Sequence, residues 1–80
     1  MRLDKYLKVS RLIKRRTVAN DACDNAHVTV NGHPAKASYE VRIGDAIEIR
    51  FGQRLLKVEV TAINEYAQKT DATAMYREIV

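Results

Sequence analysis

The chain is poor in the residues that build disulfides, tight metal sites and large aromatic cores. Its 80 residues include one cysteine, one proline, three glycines and no tryptophan. A domain of this size buries only about 60% of the surface that its unfolded chain exposes, so a deep substrate cavity has little room. We therefore expect one small domain and no self-contained enzyme.

The lone cysteine excludes an intramolecular disulfide and a CxxC metal site. Cys23 falls among small apolar residues at helical spacing, and no neighbouring base is present to activate its thiol. We predict that it is a small buried hydrophobic residue rather than a nucleophile.

Catalytic and metal-binding motifs are missing as well. The sequence has no P-loop, no GxGxxG, no HExxH and no glycine-flanked serine. Its two histidines, His27 and His33, lie on or beside a predicted turn without a plausible metal partner, and a metal site needs three or four converging ligands. The sequence predicts no catalytic residue, no cofactor and no metal.

No apolar run approaches the roughly 18 residues that would span a bilayer, and residues 1–16 lack the apolar segment of a signal peptide. We expect a cytoplasmic protein that does not bind membranes. A basic amphipathic helix on an anionic membrane is an alternative, but the first predicted helix is short and lacks bulky exposed apolar residues.

Positive charge is concentrated at one end of the chain. The whole chain has a formal net charge of +4, with 14 basic against 10 acidic residues. Residues 1–16 hold seven basic residues and one acidic residue, a net charge of +6, so the rest of the chain sums to −2. This distribution favours a polyanion-binding surface in the first 16 residues over a solvated cationic face.

Helical periodicity covers the first part of the chain. Leu3, Tyr6 and Leu7 recur at i, i+3 and i+4, which predicts a short first helix, and a second apolar stripe predicts a helix over about 16–25. Residues 10–15 connect the two into a helical hairpin. Asn25 is expected to close the second helix in the left-handed conformation.

From His27 the apolar period changes to two. Val28 and Val30 predict a strand that ends in an Asn31-Gly32 turn. Two alternating runs, 47–51 and 56–60, flank a second turn at 52–53 and predict an antiparallel pair. Residues 62–71 are polar with weak patterning. The apolar residues of the tail predict a terminal helical turn or two, with Ala72, Met75, Tyr76 and Ile79 on one face.

Four basic residues, Arg11, Lys14, Arg15 and Arg16, crowd into the connection and the start of the second helix. Free backbone N–H groups and the positive end of the helix dipole already favour phosphate there, and cations oppose that dipole. The cluster is better explained if an anion lies over it. Because the arginine fork can hold two phosphate oxygens, Arg15 and Arg16 are stronger candidates than Lys14.

Four motifs in one order carry a family resemblance. They are R-L-D-K-Y-L at 2–7, R-T-V-A at 16–19, V-x-V-N-G at 28–32 and V-x-x-G-D-x-I-x-I at 41–49. Over residues 1–60 the chain resembles the S-four type RNA-binding domain family. The resemblance implies an α+β fold in which a two-helix hairpin packs on a small curved antiparallel sheet and holds structured RNA. Residues 61–80 would form a C-terminal extension, packed on or trailing this domain.

Within that family, nearly the whole chain resembles small ribosome-associated quality-control factors of Gram-positive bacteria, through the segments 1–20, 35–38, 50–53 and 75–76. The resemblance implies a monomeric, non-enzymatic protein that binds stalled large ribosomal subunits carrying peptidyl-tRNA. It would contact large-subunit rRNA and tRNA and support the C-terminal alanine tailing of nascent chains by its partner RqcH.

The resemblance also assigns roles to individual positions. Arg16 is the strongest RNA-binding candidate, because it occupies the arginine of the family motif. The full RNA-binding set is Arg2, Lys5, Lys8, Arg11, Lys14, Arg15, Arg16, Thr17 and Lys36. Asp4 is expected to orient other residues or to contact a partner; the alternative is a surface ion pair with Lys8, four residues on.

The chain departs from the family pattern at both ends of the second helix. Many relatives have a capping serine or threonine where this chain has Arg15, and a glycine where it has Ala26. Arg15 would then exchange capping for a phosphate contact, with Thr17 or RNA satisfying the free N–H groups.

Two other functions fit a domain of this type. One is that of the heat-shock protein fifteen type factors, which handle blocked large subunits without tailing; they are longer and end in a basic helix, whereas this tail is not basic. The other is the RNA-anchoring module of an RNA-modifying enzyme or a synthetase. The initiator Met1 and the compact end favour a complete protein.

Overall fold

In the computed structural model, residues 1–66 and 72–79 form a helical hairpin followed by an antiparallel sheet. In these residues the elements are, in chain order, α1 (Leu3–Val9), α2 (Arg16–Asp24), β1 (Val28–Val30), β2 (His33–Pro34), β3 (Ala46–Phe51), β4 (Arg54–Val60), a 3₁₀ turn (Thr73–Met75) and β5 (Tyr76–Glu78). The strands are ordered β2-β1-β3-β4-β5, and each neighbouring pair is antiparallel. The predicted α+β fold is confirmed.

The helical hairpin buries the predicted apolar stripes. Leu3, Tyr6 and Leu7 of α1 are fully buried, and α2 packs against α1 and buries Ala19 and Cys23. The connection runs over residues 10–15, as predicted. Burial of the inner sides leaves most polar and charged side chains of both helices facing outward, with Asp4 of α1 the buried exception.

The second helix ends differently from the prediction. Asn25 has an ordinary φ of −95°, and Ala26 takes the left-handed conformation with φ 59°. The N–H of Ala26 donates to the carbonyl of Cys23 (3.1 Å) and that of His27 to Ala22 (2.9 Å). This is the Schellman pattern, which places the left-handed residue one position after the cap. The assignment of that conformation to Asn25 was wrong by one residue.

The long hairpin of β3 and β4 forms the centre of the sheet. Ile47 pairs with Val58 and Ile49 with Leu56, so the predicted antiparallel pair is confirmed. The alternation of strand side chains puts these apolar residues on one face, where Ile47, Ile49 and Val58 are fully buried in the core.

A polar cluster links the two turn motifs of the sequence. The Asp45 carboxylate accepts hydrogen bonds from Asn31 Nδ2 (3.1 Å), Tyr39 Oη (2.9 Å) and the N–H of Arg42 (2.9 Å). Asn31 in turn accepts one from the N–H of Ala46. The Asn-Gly and Gly-Asp motifs therefore have a structural role, since they fasten the turn after β1 to the start of β3.

The tail differs from the predicted terminal helix. A single 3₁₀ turn is followed by β5, which pairs with β4 in the register Val60↔Tyr76. The carbonyl of Met75 accepts hydrogen bonds from Tyr6 Oη (2.6 Å) and the N–H of Thr61 (2.9 Å). The open edge of β4 offers ladder hydrogen bonds that a short amphipathic helix would leave unmade, which explains the difference. Residues 67–71 of the predicted polar stretch lie outside the described residues, as does residue 80.

Candidate nucleic-acid interface

The most connected charged group in the helical hairpin is the carboxylate of Asp4, which is only 2% exposed. It lies in the first turn of α1 and accepts a hydrogen bond from the N–H of Lys5 at 2.8 Å. Arg2 Nε donates to it at 3.2 Å, Arg16 Nε at 3.4 Å and Asn20 Nδ2 at 3.3 Å. One buried acid thus joins the residue before α1 to the first two turns of α2.

Asp4 is held in its ionised form. Burial by itself would raise the pKa of its carboxyl, but the hydrogen bonds from Asn20 and from the N–H of Lys5, together with the charge of Arg16, lower that pKa below its ordinary value. A permanent negative charge therefore lies beneath the two arginines and neutralises part of their mutual repulsion.

The two arginines are anchored at one end and exposed at the other. Their side chains are 50% exposed at Arg2 and 48% exposed at Arg16. Arg16 is bound to Asp4 through Nε, and among residues 1–66 and 72–79 its two terminal nitrogens have no hydrogen-bond acceptor. Such an arginine can form a two-pronged contact with phosphate without first breaking its bond to the protein.

A groove runs along this part of α2. It has a volume of about 330 Å³ and is lined by Asp4, Arg16, Thr17, Asn20 and Asp21. Arg16 and Asn20 are one helical turn apart and face the groove together. The groove and its arginines can accept a phosphate or a ribose hydroxyl from a bound RNA backbone.

The N terminus of α2 has no side-chain cap. Arg15 occupies the capping position in an extended conformation (φ −119°, ψ 134°) and makes no capping hydrogen bond with its side chain. Thr17, considered above as a substitute acceptor, makes none among the described residues either. The first N–H groups of α2 therefore have no side-chain cap and lie next to a cluster of cations, an arrangement that suits an anion.

The connection before α2 exposes three more candidate residues. Arg11 has a left-handed backbone (φ 65°) directly after α1, and Lys14 and Arg15 follow before α2 begins. All three side chains are exposed. The tight exit from α1 brings them to the same end of the hairpin as the first turn of α2.

The other predicted RNA-binding residues are more dispersed. Lys5 lies within 3.8 Å of Glu65, which draws its ammonium toward the segment after β4. Lys8 is exposed on α1. Lys36 lines a separate groove with Cys23 and Ala26, near the C-terminal end of α2. The structure therefore joins Arg2 and Arg16 through their shared partner Asp4, and no described contact adds Lys36 to them.

The surface ion pair considered for Asp4 and Lys8 does not form among the described residues. Asp4 is buried and its acceptor positions are taken by Arg2, Arg16 and Asn20. Helical spacing alone predicted an ion pair with Lys8. In the structure Asp4 instead pairs with Arg16 of the neighbouring helix. Sequence reasoning also missed Asn20, although its position one turn after Arg16 indicated a shared face.

The residues considered as a nucleophile or as metal ligands show no such role among the described residues. Cys23 is buried, and burial, with the nearby charges of Asp4 and Asp24, raises the pKa of its thiol to about 11. A thiol held protonated is a poor nucleophile. Across residues 1–66 and 72–79, no group of three metal-ligating side chains comes together.

Comparison with known proteins identifies the fold family. The S4 domain family, the S-four type resemblance noted above, matches residues 1–47. The RQC P-site tRNA stabilizing factor of Halalkalibacterium halodurans is 54% identical over 76 residues, covering 95% of this chain and 86% of the relative. That of Streptococcus pneumoniae is 52% identical over 79 residues, covering 99% and 90%. The chain belongs to the RQC P-site tRNA stabilizing factors of the S4 domain family. The sequence resemblance to this family, RqcP, is confirmed.

The RqcP family shares its fold with a heat-shock protein. Heat shock protein 15 of Vibrio cholerae, solved as a trimer, has a TM-score of 0.90 and 32% identity, covering 99% of this chain and 81% of its own. This identity is well below the values above 50% for the two RqcP relatives. Fold alone does not separate the two families, and sequence identity places the chain with RqcP.

The names of these relatives describe a domain and stabilizing factors rather than a catalysed reaction. None of the helices in the described ranges has the length and apolar character needed to cross a bilayer. The monomer expected from the sequence stays a prediction, because the heat-shock protein neighbour forms a trimer.

Proposed function

We propose that the protein is a non-enzymatic RNA-binding factor of ribosome-associated quality control. It binds large ribosomal subunits that stalled with peptidyl-tRNA, contacts large-subunit rRNA through the helical hairpin and steadies the peptidyl-tRNA while RqcH adds alanine residues to the nascent chain. It acts in the cytoplasm as a monomer. The observation that carries this proposal is the buried Asp4, which fixes Arg2 and Arg16 at one exposed surface.

The chemistry of recognition follows from the types of donor at that surface. Two half-exposed guanidinium groups, the uncapped N terminus of α2 and the exposed Lys14 and Arg15 all favour phosphate oxygens. A-form RNA is bound mainly by shape, phosphates and 2′-hydroxyls across its shallow minor groove. We therefore expect the protein to bind a structured rRNA element whose backbone fits the groove, with little base readout.

Contact with the tRNA is inferred from the relatives of this chain. Their name describes stabilizing factors for the P-site tRNA in RQC, and they match almost the whole chain at 50% identity or more. A protein that binds rRNA through one face can limit the motion of a neighbouring tRNA by contact alone, so no catalytic group is required.

Substitution of Arg16 tests the RNA-binding surface. We expect Arg16→Ala to abolish co-sedimentation with large subunits that carry peptidyl-tRNA, and Arg16→Lys to restore it only in part, because lysine lacks the planar fork. The matched control is Arg77→Ala on the sheet, where Arg77 is bound to Glu59 at 2.7 Å. Wild-type binding by Arg16→Ala, or equal loss in Arg77→Ala, would refute the assignment of the surface.

The function of heat shock protein 15 is the second candidate, favoured by the TM-score of 0.90. It predicts the same binding to blocked large subunits but no effect on tailing. A reconstituted reaction with RqcH, alanyl-tRNA and stalled large subunits separates the two. Our proposal predicts alanine tails that depend on this protein, and tailing at the same level without it would favour the second candidate.

A further inference from the structure

The tip of the β3–β4 hairpin projects beyond the hydrophobic core. Ile49 and Leu56 form the last pair that the core covers, with Ile49 fully buried. The next pair on the same face is Phe51 and Arg54, on either side of a two-residue turn. Phe51 is 42% exposed although it continues the buried row of Ile47 and Ile49. An aromatic ring is therefore presented to solvent beside a guanidinium group.

The turn geometry keeps this pair in place. Gly52 occupies the first central position of the turn with φ 58°, the positive value that a type II′ hairpin turn requires there. The antiparallel ladder runs through Phe51↔Arg54 to the end of the hairpin. Directly opposed residues have Cβ atoms about 5 Å apart, so ring and guanidinium can engage one ligand together.

The two arginines of the tip carry positive charge that no acid of the described residues pairs with. Residues 50–57 include Arg50, Arg54 and Lys57 and no acidic residue. Lys57 is paired with Glu48 at 3.5 Å, but neither tip arginine has an acidic partner within 4.0 Å in the part of the chain that the structure describes. Arg54 lies directly opposite Phe51 on the same face, so its guanidinium is available to a ligand that contacts the ring.

We propose that Phe51 and Arg54 form a second RNA contact, which takes one unpaired nucleotide. The Phe51 ring stacks on the base and the Arg54 guanidinium binds the adjoining phosphate. Aromatic side chains with neighbouring arginines are the usual means by which proteins hold unstacked bases, and every base offers a face for stacking. This site goes beyond the helical surface proposed above, which has arginines but no exposed aromatic ring.

The two RNA-binding surfaces lie at opposite ends of α2. Arg16 begins that helix, whereas the N–H of Arg50 donates to the carbonyl of His27, just past its C-terminal end. Nine helical residues span about 13 Å along the axis. This distance is too long for one phosphate to contact both surfaces. The tip therefore contacts a different nucleotide from the one at Arg16.

The absence of tryptophan from the sequence gives a direct test. In a Phe51→Trp variant, the only indole sits at the proposed stacking position, and stacking of a base on it quenches its fluorescence. We expect single-stranded octa-adenylate RNA to quench this emission and a blunt RNA duplex not to. Leu55→Trp is the matched control, since Leu55 is 58% exposed and lies one ladder pair away, opposite Arg50 on the other face of the hairpin. Equal quenching at both positions, or none at position 51, would overturn the proposal.

Affinity for octa-adenylate provides the second measurement. We expect Phe51→Ala to weaken binding about tenfold, which is within the range for one stacked base. Arg54→Ala should weaken it more than Arg50→Ala, because Arg50 lies on the other face of the hairpin with Leu55. If Phe51 is instead a contact between copies of this chain, emission of Phe51→Trp will shift with protein concentration in the absence of RNA, and that result also overturns the proposal.

A double variant separates RNA binding at the tip from RNA binding by the arginines of the helical hairpin. Adding Arg16→Ala to the Phe51→Trp variant leaves quenching by octa-adenylate intact if the tip binds RNA on its own. Loss of subunit binding in Arg16→Ala with unquenched Phe51→Trp would support the proposed function and refute the tip site. The reverse pattern would refute the proposed function and support the tip site.

Discussion

At the scale of the residue, Asp4 determines where the two key arginines lie. Its buried carboxylate accepts five hydrogen bonds, two from Arg2 and one each from Arg16, Asn20 and the backbone of Lys5. An ionised acid buried beneath a cationic surface is costly unless its hydrogen bonds are all satisfied. The Asp4 carboxylate positions both arginines, because it holds them in place before any RNA binds.

We predict that Asp4→Asn lowers the free energy of unfolding by about 1–3 kcal/mol, because the amide cannot accept all five hydrogen bonds and no longer balances the two guanidinium charges. Chemical denaturation measures this loss. Subunit binding should fall as well, since Arg2 and Arg16 lose their anchor. The control is Glu65→Gln, which removes only the exposed partner of Lys5. Unchanged stability and binding in Asp4→Asn would leave Asp4 without a positioning role.

The lowered pKa of Asp4 also predicts a pH dependence. A carboxyl whose pKa is depressed by folding stabilises the native state at pH values above its unfolded pKa, and this stabilisation is lost as the pH falls through the native pKa. We expect wild type to lose more stability than Asp4→Asn between about pH 7 and about pH 2. Urea denaturation at a series of pH values measures the difference, and identical pH profiles would contradict the assigned ion pairs.

At the scale of the element, α2 combines an uncapped start with a strained end. Arg15 provides no cap, and Ala26 adopts a left-handed backbone that costs a residue with a side chain about 1–2 kcal/mol. Each of these two features lowers the stability of α2.

We predict that Ala26→Gly raises the free energy of unfolding by about 0.5–1 kcal/mol, because glycine adopts φ 59° without a steric penalty and this gain exceeds its larger unfolded-state entropy. Thermal denaturation measures the change. Asn25→Gly is the matched control: Asn25 has φ −95°, so glycine there should destabilise the protein or leave it unchanged. Greater stabilisation at position 25 than at 26 would contradict the observed helix end.

For the start of α2 we predict a trade-off. Arg15→Ser supplies a capping hydroxyl and should raise the free energy of unfolding by about 1 kcal/mol, while the loss of a guanidinium weakens binding to large subunits. Arg15→Ala separates the effects, since it removes the charge without adding a cap. If Arg15→Ser binds subunits as well as wild type, Arg15 makes no phosphate contact.

The elements themselves were largely predictable, because apolar periods of 3.6 and 2 mark the faces that must be buried. The period over residues 3–7 and the alternation over 47–60 gave the first helix and the central hairpin correctly. The tail was not predictable, because Met75 and Tyr76 also fit one face of a helix and only the open edge of β4 decides for a strand. The buried position of Asp4 depends on Arg16 and Asn20, at 12 and 16 residues' distance, which local patterns do not reveal.

At the scale of the whole molecule, the excess positive charge is distributed over two surfaces. Most of it lies on the helical hairpin, and a smaller part lies at the β3–β4 tip beside Phe51. The outer face of the sheet instead carries alternating charges that pair across strands, as in Lys57–Glu48 and Arg77–Glu59. Positive and negative charges on this face offset one another. We therefore expect RNA to contact the helical hairpin and the β3–β4 tip and to leave the outer sheet face free.

We predict a strong salt dependence of RNA binding. If about five phosphates are neutralised, the logarithm of the affinity should fall with the logarithm of salt concentration with a slope of roughly −4. Arg16→Ala should reduce the magnitude of this slope by about one. Titrations of an rRNA fragment at several salt concentrations measure both values, and an affinity independent of salt would exclude binding through the arginine surface.

We propose that the arginines held by Asp4 bind the protein to large subunits that retain peptidyl-tRNA. Sedimentation of the tagged protein on a sucrose gradient tests it most directly, with stalled large subunits, empty large subunits and intact ribosomes compared side by side. We predict that wild type sediments with the large subunits carrying peptidyl-tRNA and that Arg16→Ala stays at the top of the gradient. Wild-type protein that sediments with none of the three particles would show that the arginine surface does not bind large subunits.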